Sequence, residues 1–258
     1  ERLNAVRSLH DLFRVTERVD EQAFAMVSRG LIERYRGIQA LAWVPLAPLP
    51  EEPHEGDRHQ DLADQRTPEP DGPDSADIPS GEELGDQYPV QYLESERESG
   101  LRPGQDLGAQ LVLRNLMARA LARGDMVVSG RIPLIQADNP QYGFMAFMPV
   151  FAPLVTPIGE GEGHANLRGF VVGVFRIADI ADTAMGLLEP RGVEFLVLDQ
   201  SAVTGEELLA FYASRLNRDP TPASTQWRGW DLDPAPRVTQ TFQVADRLWS
   251  ITCSPTHK

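Results

Sequence analysis

The sequence has almost no cysteine, no long apolar run, and too few cations to balance its acids. One cysteine, Cys253, in 258 residues excludes a disulfide framework. The longest apolar run, Gly169 to Phe175, is strand-sized, well short of the ~18 residues that span a membrane. Twenty-four Lys and Arg face 38 Asp and Glu, a formal charge of −14. Binding to phosphate backbones needs clustered cations, so the acidic balance argues against a nucleic-acid partner. Catalytic signatures are also missing: there is no GxSxG elbow, no GxxxxGK[ST] loop, no HExxH and no CxxC. The five histidines (His10, His54, His59, His164, His257) are scattered over the ends, an acidic stretch and a loop. None sits in a segment suited to hold a base or a metal. The sequence therefore assigns no catalytic residue, no metal ligand and no cofactor.

What remains is a folding composition, 41% hydrophobic and 24% charged, with length for one large domain or two small ones. The excess charge is local. Residues 51–86 carry thirteen carboxylates against Arg58 and Arg66, which is −11 of the −14, with five prolines and no aromatic residue. Such a stretch cannot bury enough apolar surface to offset its ordering entropy, so it reads as a disordered, solvated insertion. A cation site at His54, Asp57, His59 and Asp61 matches no known metal-loop spacing. A chain that begins at Glu1 rather than Met reads as a piece of something longer.

At the N-terminus, Ala5, Leu9, Leu12, Thr16, Val19, Ala23 and Met26 recur at steps of four and three, a heptad seam. It is either one stalk helix, packed on its own domain or paired with a second copy, or two helices meeting where Asp20 caps the second. Ile38 to Val44 reads as a buried strand stopped by Pro45, and Tyr88 to Leu93 as an edge strand, because Pro89 cannot donate to a ladder. Asp106 stands where a helix Leu107 to Arg123 would begin, and Gly124 where it would end. Met126 to Ile135, Phe144 to Phe151 and Leu167 to Ile177 read as strands, with a hairpin loop over Thr156 to Ala165. Then come a helix (Ile177 to Leu188), a strand (Val193 to Leu198), an amphipathic helix (Glu206 to Leu216) and a hairpin turning at Ala245-Asp246-Arg247. The pattern is α+β with antiparallel sheets. The central strands offer pocket walls in Tyr92, Phe144, Phe147 and Phe151; the alternative is that the phenylalanines are core. Arg131 and Arg176 are open as partners for an anion, but surface arginines are the preferred reading.

Five segments, in order, resemble the CHASE domain, the extracytoplasmic input module of transmembrane sensor kinases and cyclic-nucleotide enzymes. They are Phe24 with Gly37-Ile38-Gln39-Ala40-Leu41-Ala42-Trp43-Val44-Pro45; Tyr88-Pro89-Val90-Gln91-Tyr92; Gly104-Gln105-Asp106-Leu107; Ile132-Pro133-Leu134-Ile135 with Gly143, Pro149 and Val150; and Gly169-Phe170-Val171-Val172-Gly173-Val174-Phe175-Arg176. The tail Phe242 to Trp249 is similar to the end of such modules. The resemblance implies a long N-terminal helix (1–36), a membrane-distal PAS-like domain that holds the ligand (37–186), and a membrane-proximal PAS-like domain (187–258). In cytokinin-binding members, the aspartate matching Asp106 bonds an adenine-type ligand, and the residue matching Val128 meets it through the backbone. A later threonine falls near Ala137 here, and the aromatic residue before the aspartate is Gln105.

The expectation is thus a periplasmic or extracellular ligand-sensing domain of a membrane receptor, with a histidine kinase or diguanylate cyclase output elsewhere in the protein and no catalysis in this segment. Transmembrane helices are expected before Glu1 and after Lys258. The expected ligand-binding residues are Asp106, Val128, Tyr92, Phe144 and Phe147. The expected partners are a small molecule, adenine-type by resemblance, and a second copy through the N-terminal helix. The alternative is a dimerisation or interaction module with a filled pocket.

Overall fold

The computed structural model describes residues 1–16, 18–47, 87–96, 99–134, 141–152, 166–188, 192–212 and 236–255. The acidic stretch 51–86 with its histidines, the loop 156–165 and Ala137 lie outside the described residues.

The chain opens with α1 (Leu3–Val15), whose buried stripe is Ala5, Val6, Leu9 and Phe13, the helical spacing of an amphipathic face. It stops at Thr16, whose backbone is extended. Arg168 from a later strand donates to the carbonyls of Phe13 and Thr16, the latter at 3.1 Å, and so satisfies helix-end acceptors that lack intrahelical donors. Asp20 then opens α2 (Glu21–Arg34): its Oδ1 accepts the Ala23 N–H at 2.8 Å, a cap that contributes about 1 kcal/mol. The single long N-terminal helix is corrected to two. Ala5, Leu9 and Val19 of the heptad are buried in the chain's own core, whereas Met26 is 73% exposed.

The first sheet contains β1 (Ile38–Pro45), β2 (Tyr92–Ser95), β3 (Val127–Val128), β4 (Ile132–Leu134), β5 (Gln141–Phe151) and β6 (Leu167–Arg176). It is antiparallel in the order β2-β1-β6-β5-β3, with β4 also on β5. Strand alternation divides its side chains between two cores. On one face Leu41, Trp43, Phe144, Ala146, Val171 and Phe175 meet α1 and α2. On the other, Ala42, Val44, Met145, Phe147, Val172 and Val174 meet α3 (Leu111–Arg123). An irregularity in the β1–β6 register between Ile38 and Ala40 puts Ile38 on the first face although Ala40 is on the second. Phe13 stacks on Trp43 with ring centres 4.0 Å apart. Helix α1 sits close because position 173 is glycine: a Cβ there would lie 2.8 Å from Val6 Cγ2.

Three local expectations change. Tyr88, Pro89 and Val90 pair with 104–107 rather than with the sheet, so β2 begins only at Tyr92. The strand expected over Met126 to Ile135 is broken at Ser129-Gly130-Arg131 into β3 and β4; Ser129 Oγ takes the Met145 N–H at 2.9 Å. Helix α3 begins at Leu111, not Leu107, because Asp106 and Gly108 are held in a turn. Its end at Gly124, in the left-handed region at φ 61°, is as expected.

After α4 (Ile177–Leu188) a second sheet forms from β7 (Val193–Asp199), β8 (Leu208–Tyr212), β9 (Val238–Val244) and β10 (Arg247–Pro255), antiparallel in the order β8-β7-β10-β9. The helix expected over Glu206 to Leu216 is a strand where described: Leu208 to Tyr212 pairs with β7. The run LLAFY suits either period, and the open edge of β7 decides. Both sheets share one connectivity. The first strand lies inside, between the second and the last, and the last pairs with the one before it.

Candidate functional site

The structure does not bring the five expected ligand-binding residues together. Phe144 stacks on Phe175 (5.0 Å) and meets Trp249 of the second sheet edge-on (5.2 Å). Tyr92 leans on Phe24 at 5.6 Å, on the same face. Val128 is also in that core, and its N–H donates to Asp246 Oδ1 at 2.8 Å. Phe147, three residues from Phe144, points to the opposite face and is fully buried in the α3 core. Asp106 lies at the margin of that second core. Its Oδ1 accepts the N–H groups of Tyr88 and Gly108, each at 2.9 Å. Asp106 is therefore not the N-cap of α3; Gln110 holds that place, with no side-chain cap bond. The two arginines are structural. Arg131 donates to the carbonyls of Leu208 and Gly205, both at 3.0 Å, and lies 4.6 Å over the Tyr142 ring. Arg176, 3% exposed, is no surface residue: with the Gln39 amide oxygen turned inward, it donates to Gln39 at 2.6 and 2.7 Å.

A cavity of about 630 Å³ opens on the α3 side of the first sheet, within the size range of small-molecule pockets. The loop 99–105 forms one wall. Gln110 at the N-cap and Val112 and Leu113 of the first turn of α3 form a second, and β4 with Met145 of β5 forms the floor. The loop is fixed by pairing with the segment before β2. Val90 N–H donates to Gln105 O at 2.9 Å, Gly104 N–H to Val90 O at 2.8 Å, and Leu107 N–H to Tyr88 O at 2.9 Å. The Asp106 bonds tie the same two segments. The walls combine Leu101, Leu113, Ile132, Leu134 and Met145 with the polar Ser99, Arg102, Gln105 and Gln110; the Gln105 side chain is held by the Arg102 N–H at 3.1 Å.

Sequence reasoning passed over Ser99, Arg102 and Gln110, and named Gln105 only as standing where the family has an aromatic residue. Pro103-Gly104 just before Asp106 marks a turn at a helix entrance, and that was the one available signal. Asp246 was read only as a hairpin turn. In the structure its carboxylate, 7% exposed, joins the second sheet to the first through Val128 and an ion pair with Arg119 of α3.

The CHASE domain model matches residues 17–210, well over half of the chain. No curated protein matches the sequence. Among solved structures, an extracellular ligand-binding receptor from Desulfohalobium retbaense matches at 11% identity and a TM-score of 0.50, over 98% of this chain and 36% of that one. The periplasmic sensory domain of the Campylobacter jejuni chemoreceptor Tlp1 matches at 12% identity and a TM-score of 0.50, over 98% of this chain and 85% of that one. The ligand-binding domain of the Pseudomonas aeruginosa amino-acid chemoreceptor PctC, solved with GABA, matches at 12% identity and a TM-score of 0.48, over 98% and 89%. At these identities the likeness is one of fold. Two antiparallel sheets, a chamber beside the first and the match over 17–210 lead to one statement: the chain belongs to the CHASE domain family and is an extracytoplasmic ligand-sensing domain of a membrane receptor.

Proposed function

We propose that the chain senses a small molecule in the cavity at the head of α3 and passes its occupancy to the C-terminal hairpin. One observation carries this reading: a single helix touches both places. Gln110, Val112 and Leu113 line the cavity, and Arg119 binds Asp246 in the turn between β9 and β10. By the rise of a helix, those two ends are about 13 Å apart. A ligand that draws the first turn of α3 inward shifts Arg119 against Asp246, and with it the hairpin. It can bias the hairpin only by binding one arrangement more tightly than the other.

On this reading residues 37–186 are the ligand-binding unit, 187–258 the unit nearer the membrane, and 1–36 the helical lead-in. Asp106 is a positioning residue, because its bonds to Tyr88 and Gly108 fix the cavity's loop. An adenine-type ligand has less support, since the Val128 N–H that would meet it already donates to Asp246. The output, a kinase or cyclase, belongs to the remainder of the protein. A second copy would pack on the outer face of α2, where Met26 is exposed beside Gly30.

The test is Gln110→Trp, which puts a large ring at the cavity mouth from a position whose side chain makes no cap bond. Amide hydrogen exchange at 244–249 should change along with exchange at 111–113, and adding Asp246→Ala should abolish the first change while keeping the second. A response confined to 111–113 overturns the proposed route.

A further inference from the structure

We infer that the cavity at the head of α3 takes a small organic anion with an apolar tail, a carboxylate that bears no ammonium group; the inference rests on the sensing reading of that cavity. The charge of the walls carries it. In a chain of net charge −14, the described lining residues include one cation, Arg102, and no carboxylate. Amines and zwitterionic amino acids would place an ammonium group there with no acidic partner among the described lining residues and an arginine for a neighbour. An anion finds the reverse.

The first turn of α3 borders the same cavity, and Gln110 gives the helix no side-chain cap, so the partly positive end of the helix lies beside this space. The remaining wall of Leu101, Leu113, Ile132, Leu134 and Met145 accepts a short aliphatic chain.

The test is calorimetric titration of the 258-residue chain with five probes: pentanoate, pentanamide, pentylamine, norvaline and adenine. Pentanoate should bind about tenfold or more tighter than pentanamide, the factor that one hydrogen bond to a charged group supplies. Pentylamine, norvaline and adenine should bind more weakly still. Arg102→Gln should bring pentanoate down to pentanamide while leaving the amide's affinity unchanged, and Arg102→Lys should restore part of the difference. Arg102 is exposed, so these variants leave the core untouched. If pentanamide, norvaline, pentylamine or adenine binds as well as pentanoate, and Gln110→Trp blocks it, the anion assignment is overturned while the sensing cavity stands. If no probe binds, or if binding ignores Gln110→Trp, the cavity reading itself falls and the anion assignment falls with it.

Discussion

In the first sheet every residue of β1 from Ile38 to Val44 is buried; in the second, β9 is exposed from Val238 through Gln243. The order β8-β7-β10-β9 matches the β2-β1-β6-β5 part of the first sheet, but β1 lies inside its sheet and β9 at an edge. Coverage adds to that difference. The first sheet is packed on both faces, by α1 and α2 on one side and by α3 on the other. Trp249, Leu209, Val197 and Ala210 of the second sheet lean on the first of those cores, and its own cluster among the described residues is Leu196 and Leu208 with Leu198 and Phe211. A sheet that borrows its core from a neighbour opens at lower free energy than one that owns two. On the proposed reading this division is useful: the unit packed on both faces would shape the cavity, and the other would answer it.

The sharpest way to break the comparison is to delete one ring from each sheet. Phe147 is 0% exposed and Phe242 is 40% exposed. Phe147→Ala should cost about 3–5 kcal/mol, the range for a ring removed from a closed core. Phe242→Ala should cost less than about 1 kcal/mol, as partly exposed positions do. Urea denaturation followed by far-ultraviolet dichroism measures both. Equal losses would mean that the second sheet has a core as tight as the first.

The next effect concerns the joint between the sheets. Asp246→Ala leaves the Val128 N–H without its acceptor and removes the partner of Arg119. A buried group stripped of its partner costs about 2 kcal/mol. Asp246→Asn keeps an acceptor oxygen for Val128 and should cost less. Hydrogen exchange tells a joint from a general weakening: β9 and β10 should exchange faster in the alanine variant while β5 and β6 keep their protection. Faster exchange across β5 and β6 as well would make Asp246 part of one undivided core.

The central strands were legible in the sequence because apolar runs such as IQALAWV and GFVVGVF have strand length and clear punctuation. The α+β class and the hairpin at Ala245-Asp246-Arg247 followed from the same signals. The start of α3 was not legible. Asp106 is a good cap by type, yet its Oδ1 bonds Tyr88, eighteen residues back in the chain, and no local pattern encodes that partner. LLAFY failed for a related reason, since five apolar residues fit two periods until β7 supplies an edge. The site was the least legible part. Phe144 and Phe147 look adjacent on one strand, but alternation sends them to opposite cores. Asp246 looks like a turn residue until the fold brings it to Val128 and Arg119, 118 and 127 positions away.

The smallest effect tests the softer sheet from within. Cys253 lies on β10, paired with Phe195 on one side and Val238 on the other. Partial burial pushes its thiol pKa up, because the thiolate loses hydration that the sheet does not replace. An acid with a raised folded pKa holds its proton longer when folded than when unfolded. The stability it contributes is complete below the unfolded pKa and declines as pH rises from that value to the folded one. A shallow loss of stability just above the ordinary thiol range should therefore appear in the native chain and vanish in Cys253→Ser. Maleimide labelling in the same range should be slower in buffer than in urea. Equal labelling rates would mean that β10 is open to solvent along its length, and the second sheet would then be softer than its contacts with the first imply.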